Sequence, residues 1–159
     1  MKKPNQDVLE RKDLEAFRRM HRDKTIVFTN GCFDLIHRGH LVLFMRAKEL
    51  GDFLVVGMNS DSSVARLKGP GRPLVKAVDR AFILLQLRPV DLVTIFDEDT
   101  PLETIEKLQP DVLVKGAEYS RQNIVGADFV ESRGGRVERI YMLEGYSTSS
   151  LIEKIKREL

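Results

Sequence analysis

TIVFTNGCFDLIHRGHLVLFMRAKELGDFLVVGMN, residues 25–59, reads as strand, helix and strand in succession. TIVFTN (25–30) is a β-branched and aromatic run with few charges, the composition of a strand buried on both faces. Gly31 breaks it. From Gly39 to Leu50 the spacing turns helical, with Leu41, Phe44, Met45 and Leu50 on one side and Arg46, Lys48 and Glu49 on another. Gly51 stops that helix at the expected C′ position, and FLVVGMN (53–59) follows as a second buried strand.

The alternation continues outward in both directions. Upstream, VLERKDLEAFRRMHR (8–22) places Leu9, Leu14, Phe17 and Met20 at mostly helical spacing and predicts a short amphipathic helix. Downstream, Asp61 caps a short helix through Leu67, and KGPGRP (68–73) is a loop by its glycines and prolines. Asp79 opens a helix that Pro89 closes, and DLVTIF (91–96) is the third strand. Thr100 and then Pro101 at N1 start a helix carrying Leu102, Ile105 and Leu108, ended by Pro110. DVLVKG (111–116) and RVERIYM (136–142) are strands four and five, with a helix near 126–132 between them. Ser147 to Leu159 is a closing helix with Leu151, Ile152 and Ile155 expected to face inward. Apolar strands alternating with helices specify an α/β fold: a single doubly wound, Rossmann-like, five-stranded parallel sheet with helices on both faces. Its ligand site is expected outside the carboxyl ends of the strands. One domain is expected, with residues 1–24 as a helical extension and 25–159 as the core.

Composition narrows the function classes. A chain of 159 residues with 42% hydrophobic and 31% charged residues is an ordinary globular protein able to bury a core. The net charge of +2 gives no basis for a nucleic-acid partner. The single cysteine, Cys32, leaves no internal disulfide and fits a reducing, cytoplasmic setting. The opening MKKPNQDVLERKDLEAF has no apolar run behind its lysines, and no stretch has the length of a membrane span, so neither a signal peptide nor a membrane partner is expected.

The chemistry concentrates in TNGCFDLIHRGH (29–40). His37 and His40, two of the three histidines, fall three apart where a strand gives way to a helix. A helix start offers unpaired N–H groups and the positive end of the dipole, which suits phosphate. Gly39 allows close backbone approach, and two imidazoles can donate to phosphate oxygens as charge builds. Ser147 and Thr148 begin the last helix, as caps or as hydroxyl donors to a ligand. Asn59 and Asp61 close strand two, and Asp61 serves as either a helix cap or a substrate contact. His21 reads as a surface residue of the first helix, and nothing marks Cys32 as a nucleophile. No His, Cys or carboxylate cluster has metal-ligand spacing.

Asn30, Gly31, Phe33 and Asp34, followed by His37-Arg38-Gly39-His40, resemble the T/N-x-G-x-F-D…H-x-G-H signature of the cytidylyltransferase-like nucleotidyltransferases. Within that superfamily the chain is most similar to bacterial heptose 1-phosphate adenylyltransferases, which occur alone or as the C-terminal part of a bifunctional heptose kinase/adenylyltransferase. The likeness runs from Thr25 to the end through NSD (59–61), RLKG…RP (66–73), DR (79–80), VD (90–91), FDEDTP (96–101), PDVLVKG (110–116) and STS (147–149). It implies catalytic roles for His37, His40 and Lys68. Nucleotide contacts would come from Asn30, Gly31, Cys32, Phe33, Gly39, Arg72, Tyr146, Ser147 and Thr148. Substrate contacts would come from Asp34, Asn59, Asp61, Arg66, Lys115, Gly116, Glu118 and Tyr119. Arg66 otherwise only decorates its helix, and Lys68 and Arg72 would otherwise be solvated loop charges. The chain departs from the pattern at Lys115-Gly116-Ala117-Glu118-Tyr119, where relatives read K-G-G-D-Y, and at Tyr146, where they carry a smaller or aliphatic residue.

The implied reaction moves AMP from ATP to a sugar 1-phosphate, with Mg²⁺ arriving on the triphosphate rather than in a protein site, in a homodimer. These residues carry no kinase half, so a separate protein would make the sugar phosphate. Two other readings share the fold. One is a CTP-dependent cytidylyltransferase acting on glycerol 3-phosphate or another polyol phosphate, and the other is a nucleotide-binding module without catalysis.

Overall fold

The computed structural model describes residues 8–141 and 145–158. Its centre is a five-stranded parallel sheet in the order β3-β2-β1-β4-β5, formed by β1 (Ile26–Gly31), β2 (Phe53–Asn59), β3 (Leu92–Phe96), β4 (Val112–Gly116) and β5 (Arg136–Ile140). Seven α-helices connect or flank the strands among the described residues: α1 (Leu14–Met20), α2 (Arg38–Lys48), α3 (Asp61–Lys68), α4 (Ala77–Gln86), α5 (Leu102–Leu108), α6 (Ala127–Ser132) and α7 (Thr148–Glu158). None is long and apolar enough to cross a membrane.

The continuous apolar strands have a simple cause. Successive side chains point to opposite faces, and both faces are covered. Val27, Leu54, Val56, Met58, Val112 and Val114 pack against Leu43, Phe44 and Ala47 of α2 and Ala81, Leu84 and Leu85 of α4. Ile26, Phe28, Val55 and Leu113 point the other way, onto Leu14 and Phe17 of α1, Ile105 and Leu108 of α5, and Ala127 and Val130 of α6. The chain builds outward from β1 through β2 to β3, then crosses back to lay β4 on the other side of β1. The strand order reverses between β1 and β4, and that opens a crevice at their carboxyl ends.

Four local expectations are corrected. The 8–22 segment is not one helix: Val8 bridges to Val93 and the Leu9 amide donates to the Val93 carbonyl at 2.8 Å. This supplies the open edge of β3 with a partner, so the α-helix starts only at Leu14, after one 3₁₀ turn. The cap of α3 is Ser60, whose hydroxyl accepts from the Ser63 amide at 3.1 Å, because the Asp61 carboxylate is drawn to Arg80 and the Ala77 amide. His21 is half-buried: its Nδ1 lies 2.8 Å from the Phe17 carbonyl and its ring packs on Phe17 and Phe53. Leu151 and Ile155 of α7 are exposed rather than inward, since both sheet faces are already filled by the other helices. The expected fifth strand through Met142 runs partly outside the described residues.

Candidate active site

A cleft of about 500 Å³ lies over the β1–β4 crevice. Asn30, Gly31, Cys32, Phe33, Asp34, His37 and His40 line it from the β1–α2 side, and Asn59 from the end of β2. Lys68 and Arg72 border it, while Lys115, Gly116, Glu118 and Tyr119 enter from β4. Tyr146, Ser147 and Thr148 form the remaining wall. Three expected residues do not line it: Gly39 is buried in the first turn of α2, and Asp61 and Arg66 are engaged elsewhere. Asp61 is spent on Arg80 and Ala77, and Arg66 pairs with Asp99 at 2.9 Å beside a shallow depression walled by Asp97, Glu98 and Thr100.

His37 is the N-cap of α2, in extended conformation, and its carbonyl accepts from the His40 and Leu41 amides. The two imidazoles stack 3.7 Å apart at 22°. Burial pushes both below the usual histidine range, and with His37 adjacent the His40 ring falls to about 4. Near neutral pH both are uncharged, which the stack requires, since two imidazolium ions at that distance would repel. Their Nδ1 atoms are buried without a protein partner. Such groups cost stability, and the pair is held at that cost beside the cleft. Gly39 keeps the space open, because a Cβ there would sit 3.0 Å from His37 Nδ1 and 3.2 Å from Tyr146 Cβ.

Asp34 is occupied by the protein itself. Its carboxylate accepts from the Leu74 and Val75 amides at 2.8 and 2.9 Å and from Arg72 Nε at 2.6 Å. Burial pushes its pKa up, but those amides and the guanidinium outweigh it and hold the group below the usual carboxylate range. The glycine-containing loop after α3 is therefore pinned to the β1–α2 turn through Arg72. Gly69 and Gly71 take φ of +90° and +78°, which suits glycine, and leave Lys68 exposed at the cleft edge.

Lys115 sits on the floor. Its ammonium donates to the Asn30 carbonyl at 3.1 Å and lies 5.3 Å from the Tyr119 ring centroid. Burial lowers its pKa to about 8, against the opposing pull of Glu118. An ammonium has three donors, and one is used here, so two remain for an anion. Asn30 Oδ1 and the Thr29 hydroxyl are also buried without partners. Asn59, by contrast, is engaged with Ser63 Oγ at 3.0 Å. Burial raises the Cys32 thiol, the opposite of what activates a nucleophile. Glu118 folds back over Gly116, where any side chain would collide with its carboxylate.

Ser147 caps α7 by accepting from the Ser150 amide at 3.0 Å, and the Thr148 hydroxyl ties the helix start to the Leu35 carbonyl at 3.3 Å. Tyr146 stands 6.5 Å from the His37 ring. Among the described residues no three His, Cys, Asp or Glu side chains are grouped to hold a metal ion. Of the carboxylates at the cleft, Asp34 is spent on Leu74, Val75 and Arg72, Asp99 pairs with Arg66, and Glu118 folds over Gly116.

Thr29, Leu43, Leu67, Asp99 and Ser149 also line the cleft without having been singled out from sequence. Arg80, just beneath it, is the largest of the fully buried side chains. Its signal was legible, since it shares the buried stripe of α4 with Ala81, Leu84 and Leu85, where a charge is out of place.

A cytidylyltransferase-like family model matches residues 28–154. The bifunctional protein HldE of Syntrophotalea carbinolica is 56% identical over 142 residues, covering 89% of this chain and 29% of the relative. HldE of Citrifermentans bemidjiense is 55% identical over 152 residues, covering 95% of this chain and 30% of the relative. The chain thus spans less than a third of the length of these curated relatives. The lipopolysaccharide core biosynthesis protein from Thermoplasma volcanium superposes with a TM-score of 0.62 at 25% identity, over 78% of this chain and 99% of that one. The sheet order, the crevice with its two stacked histidines and the match across most of the chain agree, and the chain belongs to the cytidylyltransferase-like family.

Proposed function

We propose that this protein is a nucleotidyltransferase that moves AMP from ATP to a sugar 1-phosphate, with D-glycero-D-manno-heptose 1-phosphate the preferred acceptor. The observation that carries the reading is the stacked, uncharged His37–His40 pair with buried unpartnered Nδ1 atoms at the start of α2. The similarity to the C-terminal share of HldE proteins supports the adenylyl donor and the heptose acceptor.

In this reaction an oxygen of the acceptor phosphate attacks the α-phosphorus, the bond to the bridging β-oxygen breaks, and pyrophosphate leaves with the electron pair. The acceptor is already anionic, so no general base is needed. Catalysis then rests on alignment and on donors aimed at developing charge. His37 and His40 donate to the α-phosphate oxygens as the five-coordinate state forms. Lys68, at the cleft edge, neutralises phosphate charge, and Lys115 holds an anionic group from the floor. The first residues of α7 offer hydroxyls and N–H groups to the triphosphate. Mg²⁺ travels with ATP, held by phosphates and water.

The product would feed surface polysaccharide assembly from the cytoplasm, where ATP and sugar phosphates are made. A homodimer fits the exposed apolar residues Val78, Phe82 and Ile83 of α4 with neighbouring Leu74, and sedimentation equilibrium tests it. Pyrophosphate release measured with ATP and with CTP, across sugar 1-phosphates and glycerol 3-phosphate, tests the reaction. ATP with heptose 1-phosphate is expected to be fastest. A clear CTP preference overturns the adenylyl reading, and ATP binding without turnover on any acceptor overturns catalysis.

A further inference from the structure

Arg80 is 1% exposed, and its guanidinium joins three stretches of chain: the β1–α2 turn, the β2–α3 junction and the loop before α4. Nη1 donates to the Cys32 carbonyl at 2.6 Å, just after β1, and to the Asn59 carbonyl at 2.9 Å, at the end of β2. Nε donates to the Val75 carbonyl at 2.9 Å, in the loop that Asp34 pins. Nη2 meets Asp61 Oδ1 at 2.8 Å, at the start of α3. A buried charge persists only when paired and hydrogen-bonded, and this one places four of its five N–H donors without lining the cleft.

What it grips is conformationally unusual. Phe33, next to Cys32, has φ of +48°, the left-handed region that a bulky side chain avoids unless its surroundings impose it. The Phe33 ring folds back over Gly31, where a Cβ would come within 3.0 Å of Phe33 Cζ. The same ring stands edge-on to His40, 5.2 Å between centroids at 79°, and 5.2 Å from Phe44. A continuous path runs from the guanidinium to the Cys32 carbonyl, the Phe33 turn, the Phe33 ring and the His40 imidazole.

We propose that Arg80 is a positioning residue for nucleotidyl transfer, holding the left-handed turn at Phe33 and through that ring setting the orientation of His40. The role rests on the nucleotidyltransferase reading of the cleft. Geometry explains why arginine stands here. Its planar fork reaches the Cys32 carbonyl after β1, the Asn59 carbonyl at the end of β2 and the Asp61 carboxylate at once, whereas an ammonium is a point donor on a flexible stem.

The test uses the full chain carrying Arg80→Lys or Asp61→Asn, with steady-state kinetics, thermal melts and NMR of the histidine ring protons. The wild type has three histidines, and His21, on the opposite side of the sheet, is an internal reference. Arg80→Lys should lower kcat about tenfold or more while KM for ATP stays within about twofold, as for a misplaced transition-state donor. The His40 ring signals should shift, with those of His21 unmoved. Asp61→Asn should shift His40 in the same direction by less, and it decides the matter if Arg80→Lys does not fold. Wild-type His40 signals in a folded variant, or a kcat loss matching only the unfolded fraction, overturns the proposal. If the wild type turns over no acceptor, the nucleotidyl reading fails by itself, while the His40 signals still report whether Arg80 holds that ring.

Discussion

The carboxyl ends of β2 and β3 and those of β1 and β4 belong to one sheet, yet their polar groups are treated in opposite ways. At the β2–β3 end nearly every group is consumed internally. Ser60 and Ser62 both donate to Asp97, Ser63 donates to the Glu98 carbonyl at 3.0 Å, Arg66 takes Asp99, and Asp61 takes Arg80. At the β1–β4 end the His37 and His40 Nδ1 atoms, Asn30 Oδ1 and the Thr29 hydroxyl are buried without partners, and Lys115 is held by one carbonyl. Burying polar atoms unsatisfied costs about 1–3 kcal/mol each; Thr94 Oγ1 of β3 is such an atom away from the cleft, but four of them gather at the β1–β4 end. The closed end stabilises the structure, and the open end is where chemistry can be placed.

The largest effect should come from emptying the open end. His37→Ala or His40→Ala is expected to lower kcat by about 10²-fold or more, the scale for one transition-state donor. Thermal stability at neutral pH should hold or rise, because an orphaned buried nitrogen is removed. A large fall in melting temperature with near-normal turnover would make the histidines structural and erase the contrast. Next in size is Lys68, exposed at the cleft edge. Lys68→Ala should reduce kcat on the order of tenfold with little change in KM for ATP if the charge is met mainly in the transition state, and Lys68→Arg should recover only part. Wild-type kinetics in Lys68→Ala would return the loop to a solvated turn.

A smaller effect follows from the titration of the stack. His40 binds its proton near pH 4 in the folded chain and near 6.5 when unfolded, so between those values the unfolded chain holds more protons. Stability is therefore fully present above 6.5 and falls as the pH drops through that window toward 4. Melting temperatures followed from pH 7 to 4 should show this slope in the wild type and a flatter one in His40→Ala. Equal slopes would mean that the ring is not held uncharged. The smallest effect belongs to the closed end. Ser62→Ala should leave kcat and KM unchanged, because Asp97 keeps Ser60 as a donor. A loss of turnover there would show that the two ends are coupled.

Much of this molecule was legible in one dimension. Four apolar runs separated by helical spacing specified a parallel sheet, because only a strand covered on both faces can be apolar throughout, while the charged RVERI run forms one edge. HRGH between a strand and a helix marked the end of the sheet where the cleft opens, because an N-terminal helix turn has free N–H groups whatever surrounds it. What depended on neighbours far along the chain could not be read that way. Whether Asp34 meets a substrate or a loop depended on where residues 72–75 fold back, and it is the loop amides that reach it. Asp61 stood equally well as cap or contact until Arg80, 19 residues on, took its carboxylate. The inward face expected for α7 presumed sheet surface left to cover, and the other helices had filled it. Local pattern determined which elements form and at which end of the sheet the cleft opens, because those follow from periodicity and backbone valence. Tertiary structure alone decided which polar groups are spent and which stay open, because hydrogen-bond satisfaction is settled between segments that only folding brings together.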